Sequence, residues 1–129
     1  MDLPAGDHAF LRREGYTYDV FDEGGMLCVQ LNNVALPPGL NVHEADLLLR
    51  LAPLYPDVPP DMWWTAPTIR TAHGTVIPAT ELQETHRGRT WQRWSRHLAA
   101  GDWLVGTDNL ESYLTLIHSE LRAAAGAAA

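Results

Sequence analysis

Residues 46 to 60, DLLLRLAPLYPDVPP, constrain the fold of this chain more than any other stretch. Leu47, Leu48, Leu49 and Leu51 form an apolar run that leads directly into Tyr55-Pro56-Asp57-Val58-Pro59-Pro60. Each proline lacks an amide donor and fixes its φ, so neither a ladder nor a helix continues through the segment. A strand is expected to end here and a rigid extended connection to follow. Met62-Trp63-Trp64 then begins a second apolar run.

The flanking sequence fills in the elements. Residues 4 to 14 read as a short amphipathic helix with Phe10 and Leu11 on one face, started by Pro4 and Asp7 and stopped by Gly15. Tyr16 to Phe21 alternates apolar and polar residues as a strand does. Asp22-Glu23-Gly24-Gly25 offers a hairpin turn, and Met26 to Leu31 a second strand that contains Cys28. Residues 44–51 and 61–65 supply strands three and four, and connections this short imply antiparallel pairing. From Ala66 to Arg89 no period is sustained, and a long irregular segment is expected, of the kind that is functional or disordered. Leu110, Tyr113, Leu114, Ile117 and Leu121 recur at helical spacing, which places a helix over Asn109 to Arg122, capped by Thr107 or Asp108. Residues 1–122 are expected to form one domain, and the Ala-rich residues 123–129 a tail that extends the helix briefly and then frays.

At 129 residues, 46% of them apolar, the chain suits one globular domain with a real core. The formal charge of −7 argues against non-specific nucleic-acid binding, which needs cations facing phosphates. A single cysteine excludes an internal disulfide and points to a reducing, cytoplasmic setting. The N-terminus lacks the basic and apolar regions of a signal peptide, and no apolar run reaches the length of a membrane span.

The order helix, four-strand meander, Y-P-x-x-P-P, irregular segment and helix resembles the ubiquitin-conjugating (E2) superfamily. Residues 46–60 carry the sharpest match, and Asp102-Trp103 followed by a short loop and an amphipathic helix carries a second. Pro59-Pro60-Asp61-Met62-Trp63-Trp64 and the run from Trp91 to His97 are similar to the bacterial branch called prokaryotic E2 family E. The resemblance implies an α+β fold of the UBC/RWD-like type: a four-stranded antiparallel meander with helices packed on one face. It also implies three partners, a ubiquitin-like protein, an E1-like adenylating enzyme and a JAB-type isopeptidase.

The departure from the family lies in the chemistry. An E2 holds its ubiquitin-like partner as a thioester on a cysteine between the proline segment and that tryptophan, and this chain has none there. Cys28 lies before the proline segment, inside an expected strand, where a cysteine is usually a small buried hydrophobe. Ser95 precedes Trp103 by eight positions, the register at which the family commonly has its cysteine. An oxyester on Ser95 would need a general base, because a serine hydroxyl is un-ionised at neutral pH. His97, two residues on, and His86, near the place of the family's H-P-N motif, are the candidates. That place reads Thr85-His86-Arg87-Gly88, so the motif's proline and its oxyanion-supporting asparagine are missing.

Arg87, Arg89, Arg93 and Arg96 interleave with Trp91 and Trp94. Such a run can stack on single-stranded nucleic acid, pair with the chain's own carboxylates and rings, or dock an acidic partner surface. The net charge favours the second use over the first. The six histidines show no ligand-type spacing, which argues against structural zinc, and no glycine-rich nucleotide motif is present, so no cofactor is expected. Two functional readings follow. One is an E2-like carrier that accepts the ubiquitin-like C-terminus on Ser95. The other is a non-catalytic E2/RWD-like adaptor.

Overall fold

The computed structural model describes residues 1–126. In chain order the elements are α1 (Ala5–Arg13), β1 (Thr17–Glu23), β2 (Met26–Ala35), β3 (Glu44–Leu51), β4 (Trp63–Ala66), β5 (Gln83–His86), β6 (Arg89–Trp94) and α2 (Leu110–Gly126). The fold is mixed α+β, but the sheet has six antiparallel strands rather than the four expected, in the order β1-β2-β3-β4-β6-β5. The two extra strands come from the segment expected to be irregular and from the Trp91–His97 run. Neither showed a period of two in sequence. β5 is short and polar, and β6 buries Trp91 on one face and Gln92 and Trp94 on the other.

Other boundaries move for local reasons. β2 runs past Asn32-Asn33 because a bulge absorbs them: the register shifts between Leu31 and Val34, and Asn33 takes φ 52°. The Asn33 amide donates to Asp46 Oδ1 at 2.8 Å in the adjacent strand. The proline segment is not extended throughout. Successive turns occupy it, with Tyr55 N donating to Ala52 O and Asp57 N to Leu54 O, since the φ of proline suits turns equally well. α2 is capped by Asn109, whose side-chain oxygen accepts from the Ser112 amide, rather than by Thr107 or Asp108. The helix continues through residues 123–126 of the Ala-rich segment, and 127–129 lie outside the described residues.

Alternation along the strands divides the sheet into two faces. Val29, Leu31, Leu47, Leu49, Leu51, Trp63 and Trp94 face α1 and α2 and form the main core with Phe10, Leu11, Leu114 and Ile117. Cys28, Leu48, Trp64 and Trp91 point the other way and form a smaller buried cluster flanked by Phe21, Met26 and Met62.

A buried polar network secures the long connection after β4. Gln92, 3% exposed, uses its side-chain amide as a surrogate peptide group: Oε1 accepts from Ile69 N at 2.8 Å and Nε2 donates to Ile69 O at 2.9 Å. The Thr65 hydroxyl donates to Gln92 Oε1 and accepts from Trp94 Nε1, each at 2.9 Å. Every member is satisfied, the condition under which buried polar groups cost nothing net. Gln92→Ala strands three of these groups and is expected to lower unfolding free energy by about 3 kcal/mol. Urea titration checks this, and a loss well under about 1 kcal/mol contradicts the anchoring role.

Candidate functional site

The segment after β6 occupies the position that the proline segment and Trp103 mark out. Three hydrogen bonds build it. Trp103 Nε1 donates to Pro56 O at 2.9 Å, tying the segment to the turns before β4. Tyr113 in α2 donates its hydroxyl to Met62 O at 3.0 Å. Met62 N donates to Arg96 O at 3.2 Å. Trp63 pairs with Trp94, so a regular ladder would set Met62 opposite Ser95. The Met62–Arg96 bond instead leaves Ser95 as the extra residue of a bulge, and its amide turns away to Ala79 O at 3.0 Å. Met62 takes φ 61°, left-handed backbone that a side chain rarely adopts, and this reverses the chain just before β4.

Ser95 is half-buried at this bulge. Its Oγ accepts a hydrogen bond from Arg93 Nε at 3.3 Å. Among the described residues no histidine bonds to it. His97 is exposed and donates its Nδ1–H to Asp61 Oδ1 at 2.7 Å across the β4–β6 step. His86 pairs with Arg89, six residues before Ser95, so roughly 20 Å of strand at ~3.3 Å per residue separates the two. Ser95, His97 and His86 are therefore not brought together as a nucleophile and its base.

His86 belongs to a different environment. It lies edge-on to Trp64, 3.1 Å from Glu84 and 3.6 Å from Glu23. Burial alone would raise the Glu84 pKa, but hydrogen bonds from His86, Trp64 and Arg93 outweigh it and hold the carboxyl below its usual value. Cys28 is fully buried opposite Arg50. Burial raises its thiol pKa, and the adjacent guanidinium offsets only part of the rise. A thiol in that state is neither exposed nor ionised.

The arginine–tryptophan run turns inward. Trp91 and Trp94 are 1% and 0% exposed, so they are core rings rather than partner contacts. Arg87, Arg89, Arg93 and Arg96 pair with Asp19, Asp46, Glu84 and Glu120, respectively. Arg87, Arg89 and Arg96 also lie over Phe21, Trp91 and Trp94.

Between the 95–103 segment and α2 lie two adjoining hollows of 250 Å³ each, both lined by Leu98, Tyr113 and Leu116. Beside them, Leu104 and Val105 are 59% and 60% exposed. The turns that Trp103 holds against this segment expose Leu54 and Val58 as well. Leu104 and Val105, framed by Gly101 and Gly106 in a polar loop, could have been recognised in sequence as apolar residues with no element to bury them. The pairing of Asp61 with His97 left no such sequence signal. No helix among the described residues is long and apolar enough to cross a membrane.

A model of the family described as prokaryotic E2 family E matches residues 3–124. No curated protein and no solved structure matches the chain.

Glu84, with its pKa depressed below 4.5, stabilises the fold above that pH, and the contribution is lost as pH falls through the folded-state value. As pH falls from neutral into the acid range below Glu84's ordinary pKa, unfolding free energy is expected to drop more steeply in the natural chain than in Glu84→Gln. Parallel slopes in urea titrations across that range contradict the assignment.

Proposed function

Because the chain belongs to prokaryotic E2 family E, we propose that it serves a ubiquitin-like conjugation system as an E2-like scaffold. It holds the ubiquitin-like protein and the E1-like adenylating enzyme without carrying the acyl group itself. The single observation behind this reading is the state of Ser95, whose hydroxyl accepts from Arg93 and, among the described residues, makes no hydrogen bond to a histidine or carboxylate. A serine attacks an acyl group only when a base takes its proton, and a guanidinium cannot do so. The other nucleophile of the family's chemistry, a thiol, exists only as Cys28 in the interior.

Partner binding finds support in the exposed apolar residues. Leu54, Val58, Leu104 and Val105 project from two segments fastened to each other by the Trp103–Pro56 bond. Exposed apolar side chains grouped on a rigid frame are what the core of a protein interface buries. The JAB-type isopeptidase, as a further member of such systems, is a candidate for the same face.

The experiment mixes the protein with ATP and its cognate E1-like enzyme and ubiquitin-like protein. No adduct stable to denaturation is expected from the natural chain, from Ser95→Ala or from Cys28→Ala. Non-covalent association with the E1-like enzyme or the ubiquitin-like protein, followed by calorimetry, is expected to weaken about tenfold or more in Leu104→Asp. A thiol-resistant, hydroxide-labile adduct that disappears in Ser95→Ala overturns the reading in favour of an oxyester carrier. A thiol-labile adduct that disappears in Cys28→Ala overturns it equally.

A further inference from the structure

The β5–β6 hairpin forms one edge of the sheet, and its tip curls over the face that the helices leave bare to reach β1 at the opposite edge. The turn is His86-Arg87-Gly88-Arg89, with φ 53° at Arg87 and 71° at Gly88, the two-residue geometry that normally calls for Asn, Asp or Gly at its first position. Arginine there is unfavourable for the backbone, and its contacts offset the strain. Arg87 N donates to Glu23 Oε2 at 2.6 Å, and Arg87 Nη1 donates to Asp19 Oδ2 at 2.8 Å. The guanidinium sits 3.9 Å from the Phe21 ring centre. Glu23, Asp19 and Phe21 all belong to β1, at the far end of the strand order from β5.

Beneath and beside the hairpin lie Cys28, Leu48 and Trp64, all buried. Around them stand three carboxylates of the sheet, Asp19, Glu23 and Asp46, met by Arg87, His86 and Arg89 of the hairpin, respectively, with Arg50 of β3 also 3.9 Å from Glu23. Asp19 and Arg87 are half-exposed, and Arg89 is 43% exposed on the side-chain scale. Ion pairs that open to water are individually weak. The tip is therefore held by several small contacts, while the apolar floor below it has a large incentive to stay covered by something.

We propose that this tip is a displaceable strap, and that the acidic, aromatic face under it docks an arginine-bearing strand or hairpin of a partner protein in place of the chain's own Arg87 and Arg89. Two features identify that occupant. With the hairpin displaced, Asp19, Glu23 and Asp46 lose the cations that meet them, and the rings of Phe21 and Trp64 offer faces on which a guanidinium can stack. The chain's own hairpin is a working example of a segment with the required chemistry. The face is on the other side of the sheet from α2 and involves neither Ser95 nor Leu104, so it stands or falls apart from the scaffold reading.

Cys28 is the only cysteine and is fully buried in this cluster, which makes it a built-in reporter of the strap. The test measures its labelling by a chromogenic disulfide reagent in the intact protein, with and without a synthetic peptide of residues 83–94 (QETHRGRTWQRW). Arg87→Ala is expected to label about tenfold faster than the natural chain, having lost one ion pair and one ring contact. Asp19→Asn, which leaves the hairpin sequence intact, is expected to label faster as well. Saturating peptide is expected to return the Arg87→Ala rate toward that of the natural chain. Labelling of Arg87→Ala at the natural rate overturns the proposal, as does a fast rate that the peptide leaves unchanged. A rate that climbs with low urea in step with global unfolding also overturns it, because opening of a strap exposes little surface.

Discussion

A single buried carboxylate ties the halves of this molecule together. Asp7, 4% exposed in α1, accepts hydrogen bonds from the Tyr55 hydroxyl at 2.7 Å and the Leu110 amide at 3.1 Å. Those partners lie 48 and 103 residues away in sequence. The first fixes the turns of the proline segment, and the second fixes the N-terminus of α2. An acidic group at a helix N-terminus also meets the positive end of the helix dipole. The attraction runs both ways: burial raises the Tyr55 pKa, and the bond to Asp7 raises it further, so the phenol remains a donor. A buried carboxylate is costly unless fully bonded, and here that cost is offset only when α1, the proline segment and α2 meet in one arrangement.

The rest of the candidate site inherits its geometry from that meeting. With α2 started correctly, Tyr113 reaches Met62 O and packs edge-on against both Trp63 and Trp103. Trp103 in turn bonds Pro56, next to Tyr55. Met62 is thereby held in its left-handed conformation, which sets the bulge at Ser95 and the step that pairs His97 with Asp61. The Trp103, Tyr113, Met62 and His97 polar groups of this frame are bonded to one another's segments.

Much of this was legible in the sequence because it rests on local rules. The Leu47–Leu51 run, the Gly24-Gly25 turn and the 3.6-residue spacing from Leu110 to Leu121 each name their element unaided. The family emerged from the proline segment and the tryptophan that follows it, and the matched region confirms it. What escaped has physical causes. From Trp91 on, β6 buries residues on both faces, Trp91 on one and Gln92 and Trp94 on the other, so it carries no polar–apolar alternation. Asn32-Asn33 reads as a break but is a bulge, because Asp46 lies beside it in the folded chain. Asp7 stood in the helix i, i+3, i+4 set with Phe10 and Leu11 but counts as polar in any pattern. The histidines near Ser95 were placed by sequence distance, while the bulge and the hairpin send them to different places. Arginines that looked like a docking face are matched to carboxylates that only the fold brings near.

The central claim is chemical: in this E2-like frame the residue at the carrier position is an ordinary hydroxyl. Reactivity of Ser95 toward a fluorophosphonate, read by intact-protein mass spectrometry, measures that property without any partner protein. The protein is expected to remain unmodified under conditions that label serines activated by an adjacent base. A stoichiometric adduct that maps to Ser95 and is lost in His97→Ala would contradict the claim.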